Sequence, residues 1–262
     1  MKVIDLIADY EEIFFSCLED WSEEIKEAGS HKKVWYGRMK DKGLRVKLAL
    51  DDRSRVGGMI QYLPIEHSFA EGKNLYFVLC IWVHGHRQGR GNFQKKGMGT
   101  ALLAAAEEDA RSLGAEGMAA WGMSLPVFMR ASWFKKHGYR KADASGMQVL
   151  LWKPFLANAL PPQWIHEKKR PAIESGKVIV TALINGWCPA GNMVFERAKR
   201  AAAELGDKVA FRPVDTSGGR DAFREWGTTD ALFVDGKPIR TGPPPSYDKI
   251  KKIIAKRVKK LR

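Results

Sequence analysis

Gln94-Lys95-Lys96-Gly97-Met98-Gly99-Thr100 follows an apolar run, Leu75-Tyr76-Phe77-Val78-Leu79-Cys80-Ile81-Trp82-Val83, and precedes a segment with Leu102, Leu103, Ala106, Ala110 and Leu113 at helical spacing. Strand, glycine turn and helix together leave backbone N–H groups unpaired at a helix N-terminus. Those groups and the helix dipole both favour an anion. Glycines let the backbone approach the ligand and take dihedrals that a side chain would block. The spacing Gln-x-x-Gly-x-Gly lacks the Gly-Lys-Ser/Thr ending of a nucleotide-hydrolase loop. Leu102 stands where a dinucleotide fingerprint has its third glycine. A phosphate-bearing ligand is the sharper reading, and a tight turn that opens a helix is the plainer one.

Working outward, the pattern predicts helices near 10–20 and 22–41 and strands near 44–50, 56–63 and 74–84. It then predicts a helix over 98–113, a short strand near 117–121, a helix near 126–137, and strands near 139–143 and 147–153. Mixed strands and helices of this kind form an α/β (α+β) domain around one central sheet. Leu156 to Pro162, with its proline pair, and the charged Glu167-Lys168-Lys169-Arg170-Pro171 read as a linker. The expected division is 1–155, a crossover over 156–176, and a smaller α/β domain over 177–262. The last opens with Val178 to Ile184, a β-branched run. Gly186-Trp187-Cys188-Pro189-Ala190-Gly191 follows, and then a helix with Val194, Phe195, Ala198, Ala202 and Leu205 on one face. Strands near 209–214 and 231–234, a helix over 220–226 and a final helix over 246–261 complete it.

At 262 residues with 45% hydrophobic content and nine Trp, the chain builds real cores. It lacks the roughly 18 uninterrupted apolar residues of a membrane helix, and its first residues run into Asp9, Glu11 and Glu12 where a secretory signal would be apolar. A cytoplasmic protein without membrane partners is expected. Three dispersed cysteines make neither a disulfide framework nor a zinc site, so no metal is expected. Cys17 and Cys80 read as small core residues. The net charge of +14 is uneven: residues 1–155 carry 23 Lys and Arg against 19 Asp and Glu, and residues 156–262 carry 21 against 11. The final helix has Tyr247, Ile250, Ile254, Val258 and Leu261 on one face and lysines on the other, a solvated basic face. No nucleic-acid-binding motif accompanies it, so a nucleic-acid partner is not expected. Oligomeric state is not legible.

The loop at Gln94–Thr100 resembles the pyrophosphate-binding loop of the GNAT N-acetyltransferases, which runs strand, Gln/Arg-x-x-Gly-x-Gly/Ala, helix. Trp133-Phe134-Lys135-Lys136-His137-Gly138-Tyr139 is similar to the end of that family's fourth helix. The resemblance covers most of residues 3–155. The strand–Trp-Cys–helix–strand–helix–strand–turn–helix order of the second half is similar to thioredoxin-like domains. As a whole the chain resembles acetyltransferases carrying a YoaP-type C-terminal domain.

What the resemblance implies is transfer of an acetyl group from acetyl-CoA, as cosubstrate, to a primary amine of a small-molecule or protein acceptor. Gln94, Lys95, Lys96, Gly97, Met98, Gly99 and Thr100 would hold the pyrophosphate. Backbone groups around Ile81, Trp82 and Val83 would polarise the thioester. His84 to Phe93, a longer loop than the family's, would wrap the 3′-phosphate of CoA or cap the site; the plainer reading is a mobile surface loop. Candidate bases are Glu66, His67 and His84, the histidines because their ordinary pKa suits proton transfer at neutral pH. Phe134 stands where many relatives have a proton-donating Tyr, and a phenyl ring donates nothing. A non-catalytic acetyl-CoA sensor is therefore a second reading. A one-cysteine thiol site at Cys188, at a helix N-terminus that lowers thiol pKa, is a third. Gly191 replaces the resolving cysteine, and Thr228 or Thr229 replaces the cis-proline of thioredoxins. Trp21, Trp35 and Tyr36 serve either an acceptor cleft or the core.

Overall fold

The computed structural model describes residues 1–126, 128–166 and 169–261. Val127 of the expected 126–137 helix, Glu167 and Lys168 of the charged run, and Arg262 of the basic tail lie outside the described residues. The chain forms two compact units: Met1–Trp21 with Arg38–Ile165, and Ser22–Gly37 with His166–Arg262. The division is not contiguous, because residues 22–37 belong to the second unit.

The first unit is built on a seven-stranded mixed sheet. Its strands are β1 (Lys2–Asp5), β2 (Arg45–Leu50), β3 (Val56–Pro64), β5 (Leu75–Val83), β6 (Gly117–Met123), β8 (Gln148–Pro154) and β7 (Arg140–Ser145), in that spatial order. A two-residue strand, β4 (Ala70–Glu71), pairs with β9 (Gln163–Trp164), so part of the expected linker belongs to this unit. The helices are α1 (Glu11–Phe15), α2 (His31–Met39), which runs from the second unit into this one, α3 (Met98–Ser112) and α4 (Ala131–Lys136). The expected 10–20 helix stops after one turn because Cys17 (φ 51°) and Leu18 (φ 66°) take the left-handed conformation. Gly29 and a 3₁₀ stretch over Glu23–Ala28 likewise split the expected 22–41 helix.

On one face of the sheet, Leu102, Leu103, Ala106 and Ala110 of α3 are buried against Ile60, Val78, Met118 and Ala120. Leu113, expected on the same stripe, lies past the helix end and is half exposed. Asp109 pins α3 to the sheet: it accepts two bonds from Arg45 at 2.9 Å and one from the Tyr62 hydroxyl at 2.6 Å. Burial pushes the Asp109 carboxyl up, but Arg45, Tyr62 and Lys47 together hold it below the usual carboxylate range.

In the second unit a four-stranded sheet has the order β11 (Val209–Asp215), β10 (Val178–Ile184), β12 (Ala231–Val234), β13 (Lys237–Ile239). β10 and β11 are parallel, and β12 and β13 are antiparallel to their neighbours. α5 (Pro189–Glu204) and α7 (Tyr247–Val258) supply Val194, Phe195, Ala198, Ile250 and Ile254 to one core. α6 (Arg220–Trp226) packs Trp226 on Leu183 and Phe233. Residues 22–37 join this unit through α5. The buried Arg197 guanidinium reaches Glu24 at 2.5 Å and Glu27 at 3.0 Å, and His31 meets Glu196 at 2.7 Å. Trp35 is buried here, with its Cβ 2.9 Å from where a Cβ on Gly186 would stand, which places it in the core.

Candidate active site

β5 and β6 pair in parallel only from Leu75–Gly117 to Val78–Ala120, although β5 continues to Val83 and β6 to Met123. Beyond Val78 the two strands part. The other edge of β5 stays paired with β3, and the ladder continues into His84 N–H donating to Gly57 O at 2.9 Å. Alternation along an antiparallel ladder then turns the N–H groups of Trp82 and His84 toward β3 and those of Ile81 and Val83 into the gap. Of the three residues expected to polarise a carbonyl, Ile81 and Val83 therefore present N–H groups to it.

The Ile81 N–H donates to the Met129 sulfur at 3.5 Å, and a thioether is a weak acceptor. Met129 arrives there because the chain after β6 folds back: Met123 N–H donates to Met129 O at 2.7 Å. Gly122 makes the fold possible, since a Cβ there would lie 2.8 Å from Met129 O and 2.9 Å from the Ala131 backbone. Nothing in the sequence signals this role for Met129.

The loop beyond β5 delivers the chain to α3. Lys95 (φ 61°) and Gly97 (φ 82°) are left-handed, and Gly97 caps the helix. The first intrahelical bond is Ala101 N–H to Gly97 O, so the N–H groups of the first turn point outward from the helix end. A Cβ on Gly97 would meet no atom within 4 Å, and one on Gly99 would lie 3.4 Å from Trp133. Lys95, Lys96 and Thr100 are exposed beside this turn, and Met98 is buried below it. The Gln94 side chain instead folds over Gly85, and its amide reaches Val83 O at 3.5 Å. Thr100 Oγ1 donates to His137 Nε2 at 3.0 Å, because His137 Nδ1 carries the proton given to Trp133 O at 2.9 Å. His137 and Trp133 thus border the loop. Both lie in the motif at 133–139, where only Phe134 was given a role.

The 84–93 loop is anchored at several points. Phe93 N–H closes it onto His84 O at 2.9 Å, and the buried Phe93 ring lies against Gly57. Arg90 makes a two-bond pair with Asp20 at 2.7 and 2.9 Å. Trp21 lies so close to Gly89 that a Cβ there would be 2.0 Å from the indole. A compact loop closed at its ends is an Ω-loop, not a loose flap.

His84 is the hinge of this arrangement. The Trp21 indole N–H, a donor only, bonds Nε2 at 3.0 Å, and Nδ1 bonds Gly91 O at 2.7 Å. The ring is therefore the neutral Nδ1–H tautomer, fully buried, with its lone pair taken up by Trp21. Glu66 and His67 follow β3, whose last pair is Pro64–Tyr76 at the start of β5. Five residues of strand, roughly 17 Å, separate Tyr76 from Ile81. Antiparallel pairing puts this connection at the opposite end of β5 from the glycine loop, out of reach of the gap. Burial also lowers the His67 pKa.

Phe134 is fully buried, its ring centroid 5.0 Å from Trp133 and 5.4 Å from Tyr139. Tyr139 is buried too, and burial pushes its hydroxyl well above the usual range. Neither ring offers a proton to the gap. In the second unit Cys188 is the half-buried N-cap of α5. The Trp187 indole donates to Thr229 Oγ1 at 3.1 Å, and Thr229 donates to Asp230 at 2.7 Å. A Cβ on Gly191 would stand 2.8 Å from the Asp230 carboxyl. Among the described residues no cluster of His, Cys, Asp and Glu could hold a metal ion, and no helix is long and apolar enough to cross a membrane.

Residues 5–139, just over half of the chain, match the acetyltransferase (GNAT) family. The chain belongs to the GNAT acetyltransferases. Membership makes it an acyltransferase with acetyl-CoA as cosubstrate. Solved structures similar to this GNAT chain include the PaiA N-acetyltransferase of Thermoplasma acidophilum in complex with coenzyme A. It is 19% identical, with 59% of this chain and 100% of that one covered and a TM-score of 0.42. A Brucella melitensis GNAT acetyltransferase in complex with acetyl-CoA is 15% identical, with 62% and 92% covered and a TM-score of 0.42. A Staphylococcus aureus Mu50 acetyltransferase is 13% identical, with 59% and 99% covered and a TM-score of 0.44. No curated protein matches the chain.

Proposed function

We propose that the chain moves the acetyl group of acetyl-CoA to a primary amine by direct attack in a ternary complex. The observation that carries the reading is the junction of the parted β5–β6 edge with the open N-terminus of α3, one loop apart. The first turn of α3 holds the pyrophosphate, with Lys95 and Lys96 adding charge. The N–H of Ile81 or Val83 receives the thioester oxygen, which is a better acceptor than the Met129 sulfur it displaces. Attack by the neutral amine places negative charge on that oxygen, where an aimed N–H is worth about 3 kcal/mol. Collapse then expels the CoA thiolate. Because Phe134 has no proton to give and Tyr139 is buried, the thiolate takes its proton from water. The amine loses its proton through ordered water, or to His84 once Trp21 turns aside.

We read the second unit as a thioredoxin-like domain, similar to the YoaP type. Its β-α-β-α-β-β-α order and its strand arrangement support that reading. The carboxyl of Asp230, filling the space beside Gly191, supports a domain without disulfide exchange. A one-cysteine role for Cys188 predicts a thiol pKa well below about 8.5, measured by iodoacetamide labelling against pH.

The second reading of the first unit is a sensor that binds acetyl-CoA without turnover, favoured by Phe134 standing where a proton-donating Tyr would be. Calorimetric titration with acetyl-CoA, followed by an amine panel with free thiol as the readout, separates the two. Saturable binding with amine-dependent thiol release is expected. Binding without release overturns catalysis, and no binding overturns both readings.

A further inference from the structure

We infer that the acceptor is an amine with a single positive charge and a flat aromatic body; this rests on the acetyl-transfer reading above. Val83 faces α3, since a Cβ on Gly99 would lie 3.8 Å from its side chain, so by alternation Trp82 stands on the opposite face. There it begins a continuous band of rings: Trp82 lies 5.9 Å from Phe128 and 6.4 Å from His86, Phe128 lies 6.0 Å from Trp121, and His86 lies 6.2 Å from Trp21. Trp121 is fixed at the parting of the strands, because its indole donates to Leu79 O at 2.8 Å. The band therefore starts beside the gap and runs out to solvent.

Its outer members are not core residues. Phe128 is 41% exposed and Trp21 38% exposed. Trp82 and Trp121 are half-buried between them, and rings offered at their edges and faces select aromatic partners.

Charge narrows the choice. Of the two carboxylates beside Trp21, Asp20 is neutralised by Arg90. Glu19 lies 3.9 Å from the neutral His84. One carboxylate next to an aromatic band suits one ammonium group, to which the rings add cation–π attraction. A polyamine or aminoglycoside would bring several charges to a face where Arg90 already occupies one of the two carboxylates.

The experiment is steady-state acetylation of 2-phenylethylamine, tryptamine, hexylamine, spermidine and kanamycin by the full chain and by Phe128→Ala. Trp fluorescence of the CoA-saturated protein is read in parallel. The expected result is that the two arylalkylamines exceed hexylamine at least roughly tenfold in kcat/KM. Phe128→Ala should raise their KM roughly fivefold to tenfold, with a smaller rise for hexylamine and no change in the KM for acetyl-CoA. Preference for spermidine or kanamycin overturns the inference, as does an equal loss for every amine in the variant. Saturable fluorescence change with arylalkylamines, weakened in Phe128→Ala but without CoA release from any amine, overturns acetyl transfer and keeps the aromatic site. The absence of both turnover and a fluorescence change overturns the aromatic site.

Discussion

α3 in the first unit and α5 in the second each follow a central strand through a turn that the sequence singles out, and their N-termini are finished in opposite ways. At α3 the capping glycine opens outward: a side chain on Gly97 would touch nothing, and lysines stand beside the turn. At α5 the space beside Gly191 is filled by the protein's own carboxyl, Asp230, held by Thr229 Oγ1 and by Asn185 N–H at 3.3 Å. A helix N-terminus attracts anions in both cases. One leaves the place for a ligand, and the other closes it with an internal acid. The comparison explains how two similar local patterns lead to different chemistry: what decides is the residue that arrives from a distant part of the chain.

The largest effect is expected where the open end is spoiled. Gly97→Val puts a β-branched residue at φ 82°, a conformation that costs it several kcal/mol. It also sets a side chain in the path of the pyrophosphate. Calorimetry should show CoA affinity falling by one to two orders of magnitude, with the urea midpoint of the second unit unchanged. Retention of affinity would mean that the N–H groups of the turn do not hold the phosphate, and the contrast with α5 would lose its first half.

The open end was legible in the sequence because strand, glycine turn and helix lie within forty residues and each declares itself locally. The closed end was not, because nothing near Gly191 announces Asp230, which comes from just before β12. Position along a strand misled in the same way for Glu66 and His67. They precede β5, whereas the glycine loop follows it, and a nine-residue strand separates what comes before from what comes after. His84 was legible as a residue but not in its state, which depends on Trp21, 63 positions away. The membership of residues 22–37 in the second unit rests on Arg197 and Glu196 of α5, again long-range partners. The aromatic band was missed because Trp82, Trp121 and Phe128 each look like core residues in their own windows.

A smaller effect tests the closed end. Gly191→Cys restores the spacing of a two-cysteine motif, but its Cβ would lie 2.8 Å from the Asp230 carboxyl, which Thr229 and Asn185 hold in place. A destabilisation of about 2–3 kcal/mol is expected from such overpacking, read as a lowered urea midpoint. A variant that kept wild-type stability and formed a disulfide between Cys188 and the introduced thiol would show that the turn retains room for thiol exchange.

The smallest effect uses pH, and it separates the two units through their two buried acids. Loss of hydration pushes Asp230 up to about 6, and its hydrogen bonds only moderate the rise. An unfolded Asp ionises near 3.9. Between those values the folded chain holds a proton that the unfolded chain has released, so stability falls as pH rises from about 4 to about 6 and stays lower above it. Two pKa units correspond to about 3 kcal/mol, and the partial exposure of Asp230 reduces the expected change to about 1–2 kcal/mol. Asp109 has the opposite sign. Its folded pKa is lowered by Arg45, Tyr62 and Lys47 against the cost of burial, so its contribution is present above the unfolded value and is lost as pH falls below about 4. Asp230→Asn should therefore gain stability at pH 7 relative to wild type and lose that gain at pH 4. Asp109→Asn should be destabilised at pH 7 and approach wild type in acid. Urea titrations of Asp230→Asn at pH 7 and 4, and of Asp109→Asn at pH 7 and about 2.5, give the four midpoints required. If Asp230→Asn shifts the midpoint equally at both, the carboxyl has the same pKa folded and unfolded and takes up no extra proton on folding. The closed end of α5 would then be held by hydrogen bonds alone, with no proton stored there.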